Sequence, residues 1–127
     1  MKTRLLTLLV AAVSILVIPG SVLAHHGQAG YNVTEAVTVS GTVTDFHFVN
    51  PHSIVDFDAK DDKGMAQKWQ GELTSPNHLI RAGWTATSLK AGDQVTVTGY
   101  RAKTGANSLW ITKLSINGEE IKMGGGN

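Results

Sequence analysis

Ser75-Pro76-Asn77-His78-Leu79-Ile80-Arg81-Ala82-Gly83-Trp84 is a helix signal set among strand signals. Ser75 suits an N-cap, because its hydroxyl can accept from a backbone N–H of the first turn. Pro76 suits the first helical position, where its missing N–H would have had no partner. Gly83 suits the left-handed residue that ends a helix. The spacing predicts a short helix over 77–82, with Leu79, Ile80 and Trp84 sealing one end of a core.

Upstream of this stretch the period changes to two. Val37, Val39 and Val43 alternate with Thr38, Ser40, Thr42 and Thr44, the pattern of a half-buried strand rich in β-branched residues. After Asp45 the apolar positions switch parity to Phe46 and Phe48. A parity switch near Gly41 predicts a bulge or sharp bend in one long strand. Asn50-Pro51 ends that strand, since proline removes a ladder donor and biases the preceding residue away from helix. A second strand is predicted over 53–59, with Val55 and Phe57 on one face. Asp61-Asp62-Lys63-Gly64 reads as a turn, and a third strand over 67–73 has Trp69 as its anchor.

Downstream, Lys90-Ala91-Gly92-Asp93 is a turn and 94–101 a fourth strand with Val95 and Val97 inward. A loop at 104–107 precedes a fifth strand over 109–116, with Trp110, Leu114 and Ile116 on one face. Asn117-Gly118 is a strong hairpin signal leading to a brief last strand through Ile121 and Met123. Strand, strand, strand, short helix, strand, strand is the order of a mainly β, small OB-fold-like five-stranded barrel with one helix between strands three and four. A β-sandwich would use similar strands but offers no reason for a capped helix at that point. Trp69, Trp84 and Trp110 read as core anchors rather than a ligand platform.

The first 24 residues read differently. Met1-Lys2-Thr3-Arg4 is basic, Leu5 to Val17 is apolar apart from Thr7 and Ser14, and Val22-Leu23-Ala24 ends in a small residue. This is the three-part pattern of a cleavable secretory signal, shorter than a membrane span of roughly 20 residues. The expected organisation is a signal peptide over 1–24, an N-terminal arm over 25–35, a barrel over 36–123 and a flexible tail over 124–127. The expected location is periplasmic or secreted, with no stable membrane anchor after cleavage. The chain has no cysteine, so neither a disulfide framework nor a cysteine-ligated zinc site is available. Eleven basic and ten acidic residues become nine and ten once Lys2 and Arg4 are removed, a net charge of −1 with the histidines neutral. Such a domain has no basic field to attract nucleic acid, and no nucleic-acid partner is expected.

Five histidines carry the chemistry: His25, His26, His47, His52 and His78. Cleavage after Ala24 would make His25 the first residue, so its free amine and its ring Nδ1 could chelate one ion. The amine titrates near about 7.7–8 and imidazole near about 6.5, and both yield protons to a metal around neutral pH. Nitrogen donors of this kind favour Cu(II) among its divalent neighbours. His26 adds a donor, although neighbours in an extended arm point opposite ways. His52, in the loop after Asn50-Pro51, is the partner that a rigid scaffold could present. His47 lies on the face opposite Phe46 and Phe48 and could reach or flank the same site. His78, in the first turn of the helix, reads as a surface residue. Glu72 could hold a histidine ring in one tautomer. An ordinary exposed role is open for each of these side chains.

Taken together, Ala24-His25-His26, Gly41-Thr42-Val43, Asn50-Pro51-His52, Trp69 with Glu72, Arg81-Ala82-Gly83-Trp84, and Leu89-Lys90-Ala91-Gly92-Asp93 before Val95-Thr96-Val97-Thr98-Gly99 resemble a family of small exported bacterial proteins known only as a domain of unknown function. The chain departs from that pattern at Gly27, where a hydroxyl residue is expected. The resemblance implies an OB-like exported domain with His25, His26 and His52 in one site, and it brings no activity with it. Three functions stay open: a copper-binding protein for metal handling; an OB-type binding module for a small ligand, oligosaccharide or protein partner with no metal role; and an enzyme with a histidine-clamped copper centre.

Overall fold

The computed structural model describes residues 27–124. The expected signal peptide, His25, His26 and the last three residues lie outside that range. Six strands and one helix follow in order: β1 (Tyr31–His47), β2 (Ile54–Lys60), β3 (Ala66–Glu72), α1 (Pro76–Arg81), β4 (Gln94–Ala102), β5 (Ser108–Ile116) and β6 (Glu119–Ile121). The sheet order is β3-β2-β1-β4-β5-β6, antiparallel throughout, and β3 also pairs in parallel with β5 through Gln70–Ser108, Gly71–Leu109 and Glu72–Trp110. That last pairing closes the sheet on itself. The molecule is an OB-like barrel of five strands, with β6 as a short sixth strand added to the edge of β5.

Closure depends on β1 serving two neighbours. Its first part pairs with β4, from Ala36 opposite Tyr100 to Thr42 opposite Gln94. Its second part pairs with β2, from Thr42 opposite Asp58 to His47 opposite Ile54. The register slips between Val43 and Asp45, so the bulge falls at Thr44, three residues beyond Gly41. The bulge explains the parity switch: Val37, Val39 and Val43 face inward before it, and Phe46 and Phe48 pack on the core after it. Gly41 has a different job. A side chain there would run into the Asp58 carbonyl oxygen and the Phe57 ring, because β2 crosses close to β1 at that point.

Three sequence expectations are corrected. The first strand begins at Tyr31 rather than Ala36, because the later part of the supposed arm is tied to β4 by Tyr31 pairing with Ala102. Ile80 does not seal the core; it is 55% exposed, whereas Leu79 is fully buried. A six-residue helix turns only one narrow face inward, and Ile80 stands about 100° round from Leu79. Trp110 does not share a face with Leu114 and Ile116. Thr98 pairs with Lys113 and Gly99 with Ile111, which leaves Thr112 as a bulge in β5. Before the bulge Leu109 and Ile111 point inward, and Trp110 stands on the outer wall.

The barrel interior is apolar: Val43, Val55, Phe57, Leu73, Val95, Val97, Leu109, Ile111 and Leu114 line it, with Leu79, Trp84 and Leu89 closing one end. Trp84 is the one tryptophan that is fully enclosed, and its indole N–H donates to the Lys122 carbonyl at 2.8 Å. Trp69 sits half-buried near the other end. One face stacks on Phe57 with centroids 6.3 Å apart, and the Arg101 guanidinium lies 5.2 Å from its ring centre.

Candidate functional site

His52 emerges from the loop between β1 and β2. Pro51 precedes it, through a cis Asn50–Pro51 peptide. Ser53 follows it and is fully buried, donating its N–H to Thr74 O at 3.1 Å and accepting from Leu73 N at 2.8 Å. The backbone on the C-terminal side of His52 is therefore held to the strand that carries Glu72.

That placement brings His52 against Glu72, with Nδ1 and Oε1 2.5 Å apart. An ionised carboxylate can only accept, so Nδ1 is the donor in this contact. Nε2 of His52 has no hydrogen-bond partner among the described residues. The other Glu72 oxygen, Oε2, accepts from the Tyr31 hydroxyl at 2.6 Å, and Ser108 Oγ lies 3.5 Å from the same hydroxyl. Burial, followed by the hydrogen bond to Glu72, raises the Tyr31 pKa above its ordinary 10.0, so the phenol stays protonated as a donor. The Trp110 and His52 rings lie nearly perpendicular, at 87° with centroids 5.3 Å apart, and Trp110 is 6.1 Å from Tyr31. Side-chain exposure of 27% for His52 and 21% for Glu72 makes this a half-covered surface cluster rather than a pocket.

The start of the described chain lies at the same place. A side chain on Gly27 would come within 3.4 Å of the Trp110 ring. Residues 27–30 form a turn, closed by Tyr31 N donating to Gln28 O at 3.0 Å. Lys103 anchors it twice, through its N–H to Gly30 O and its Nζ to Ala29 O, each at 2.9 Å.

The other candidates are distributed elsewhere. His47 is on the same outer wall, opposite Ile54, but its Nε2 lies 2.9 Å from Asp56 Oδ2 and 3.5 Å from Asp45 Oδ2. His78 is exposed, with Nδ1 3.0 Å from Thr74 Oγ1. His25 and His26 lie outside the described residues. The structure thus joins His52 with Glu72 and adds two groups the sequence reading missed, Tyr31 and Ser108. No local signal marks either one: Tyr31 reaches Glu72 across 41 positions in the sequence, and Ser108 is placed by the β3–β5 pairing. Trp110 joins the cluster because the Thr112 bulge reverses its face.

Among the described residues no group of three or more His, Cys, Asp or Glu side chains is arranged to hold a metal ion. The barrel supplies one well-oriented imidazole nitrogen.

Fold and site together define a small OB-type barrel with a Tyr–Glu–His hydrogen-bond chain on its outer wall, beside the entry of the N-terminal segment. The chain belongs to a family of unknown function (DUF6152), whose model matches residues 12–109. No curated protein matches it. Among solved structures it is similar to the dimeric N-terminal domain of PriB protein from Thermoanaerobacter tencongensis, at 16% identity over 65% of this chain and 96% of that one, with a TM-score of 0.40.

Proposed function

We propose that this is an exported metal-binding protein that holds copper between a mature N-terminal His25 and His52, with His26 completing the ligand set; His47, engaged by Asp56, is left out of it. The observation that carries the reading is the meeting of Gly27 and His52 on Trp110. His26 and His25 directly precede Gly27 in the sequence, and engagement of the His52 Nδ1 by Glu72 leaves Nε2 as its ligating nitrogen in this reading. Three ring nitrogens with an N-terminal amine are a donor set suited to Cu(II). The hydrogen bond from Nδ1–H to a carboxylate raises the basicity of the ligating nitrogen.

The competing reading is an OB-type module for a small ligand, oligosaccharide or protein. An open groove of about 330 Å³ bordered by Asp56, Asp58, Lys68, Trp69, Gln70 and Asn107 is the place it would use. It is disfavoured because Trp69, the aromatic ring bordering that groove, already packs against Phe57 and the Arg101 guanidinium. Nucleic acid is not proposed as a partner, on the mature charge of −1.

Copper titration of protein verified by intact mass to begin at His25 tests the reading. His52→Ala should weaken Cu(II) binding by about tenfold or more, and one added N-terminal Gly should do the same, while His78→Ala has no effect. Wild-type affinity in His52→Ala would mean that any ion is held by the loose His-His segment alone, and the ligand-module reading would replace this one.

A further inference from the structure

We propose that the open edge of β1 over 36–41 pairs with the same edge of a second copy of this chain, antiparallel and centred on Thr38, to make a two-fold dimer. This surface uses none of the residues around His52, and it does not rest on the copper reading.

From Ala36 to Gly41, β4 is the only strand paired with β1 among the described residues. β2 joins β1 at Thr42, and its last two residues, Ala59 and Lys60, pair with β3 alone. The ladder fixes which backbone groups face the gap. Val43 donates to Asp93 O at 2.9 Å and accepts from Gly92 N at 2.8 Å, so it faces the β4 side. Alternate residues of an antiparallel strand face the same neighbour. Gly41, Val39 and Val37 therefore face β4 as well, and Ser40, Thr38 and Ala36 turn their N–H and C=O to the open side. The hydroxyls of Thr38 and Ser40 do not cover those groups, because they bond across the sheet to the Thr98 and Thr96 hydroxyls at 2.9 and 3.1 Å. Edges that must stay unpaired are blunted by lysine, proline or a bulge. Ala36-Val37-Thr38-Val39-Ser40-Gly41 has none of the three.

The edge is complementary to itself. Pairing about Thr38 sets Thr38 opposite its copy and Ala36 opposite Ser40, and each such pair exchanges both of its hydrogen bonds. On the inner face Val37 meets the partner's Val39, and both are partly buried residues packed against the core. Threonine pairs and β-branched pairs directly across a ladder are favourable. Charge fits the same register. Glu35 is exposed at one end of the open run, and Lys60 is exposed at the other, beside Ser40, Gly41 and Ala59. The two-fold axis brings Glu35 of each copy to Gly41 of the other, at the end of β2 where Lys60 stands. An in-register parallel pairing would set like charges together instead. The contact is smaller than the roughly 1,200–2,000 Å² of a standard interface, so the dimer is reversible and depends on concentration.

Amide exchange at several protein concentrations, with EDTA present to prevent metal bridging, reads the edge without any substitution. Concentrating the protein should slow exchange at Ala36, Thr38 and Ser40 by about fivefold or more, in step with dimer formation in sedimentation, while Val37 and Val39 stay unchanged. Thr38→Pro removes an N–H that faces the gap and spares the β4 ladder, so the variant should fold and remain monomeric. Glu35→Lys should weaken association by about fivefold, and adding Lys60→Glu should restore it. The chain has no cysteine, so Thr38→Cys should form a single disulfide between copies, the paired Cα atoms standing about 5.5 Å apart. A protein that stays monomeric at the highest concentration overturns the proposal, as does a dimer that a folded Thr38→Pro leaves intact. Protection of Ala36, Thr38 and Ser40 that persists on dilution also overturns it, because the edge is then covered within one chain. Should Thr38→Pro fail to fold, the exchange comparison and the charge-reversal pair decide.

Discussion

Tyr31 donates a proton that it must keep. In the unfolded chain the phenol ionises near 10.0, and burial with Glu72 beside it raises that value in the folded protein. Between the two values the unfolded state has lost a proton that the folded state retains. The contribution is therefore complete below about pH 10 and is lost as pH rises beyond it. Thermal unfolding followed from pH 8 to 11 should show a decline above pH 10 that is smaller in Tyr31→Phe. A decline of equal size in both would mean that other groups dominate the alkaline limb. At this scale the sequence was partly legible. His52 and Glu72 stand out because imidazole and carboxylate are the side chains that bind and orient metals. Tyr31 does not stand out, because a tyrosine in a glycine-rich stretch has no periodic pattern to place it.

Among the elements, α1 shows most directly how local rules and packing divide the work. Ser75 and Pro76 start the helix and Gly83, with φ of 92°, turns the chain out of it. Ser75 makes no side-chain cap hydrogen bond, so the start relies on Pro76 and on backbone bonds from His78 and Leu79 to Ser75 O. Leu79 is the plug: it is fully buried, and truncation to alanine should cost about 2–5 kcal/mol in urea unfolding. Ile80→Ala, at a position 55% exposed, should cost no more than about 0.5 kcal/mol. Equal losses at the two positions would refute the assignment of the inward face. The β2–β3 turn is governed by one side chain in the same way. Asp61 accepts from Met65 N and Lys63 N, each at 2.9 Å, and from Gln67 at 3.1 Å. Those bonds, the Met65 amide first, lower its pKa.

For the whole molecule the seam between β3 and β5 is decisive, because three paired residues there turn an open sheet into a barrel and bring Glu72 beside Trp110. Gly71 sits in the middle, and a side chain on it would meet Ile111 Cδ1 at 2.5 Å and Val55 Cγ1 at 2.9 Å. Gly71→Val should force those side chains apart and destabilise the protein by about 1–3 kcal/mol, with heightened amide exchange at Ser108 to Trp110. Unchanged exchange there would show that the seam is not where closure is held. The sequence by itself determined the strand and helix order, the inward residues of β2 and β4, the bend in β1 and the position of the one helix. Those follow from periodicity, β-branching, proline and glycine, which act over a few residues. Only the tertiary structure decided that Trp110 faces outward, that Tyr31 is part of the first strand, and that Tyr31, Glu72 and His52 form one hydrogen-bond chain. Those depend on where β5 bulges and on which strands meet at the seam. They are contacts between segments 20 to 77 positions apart, set by closing the barrel over its core rather than by any local preference.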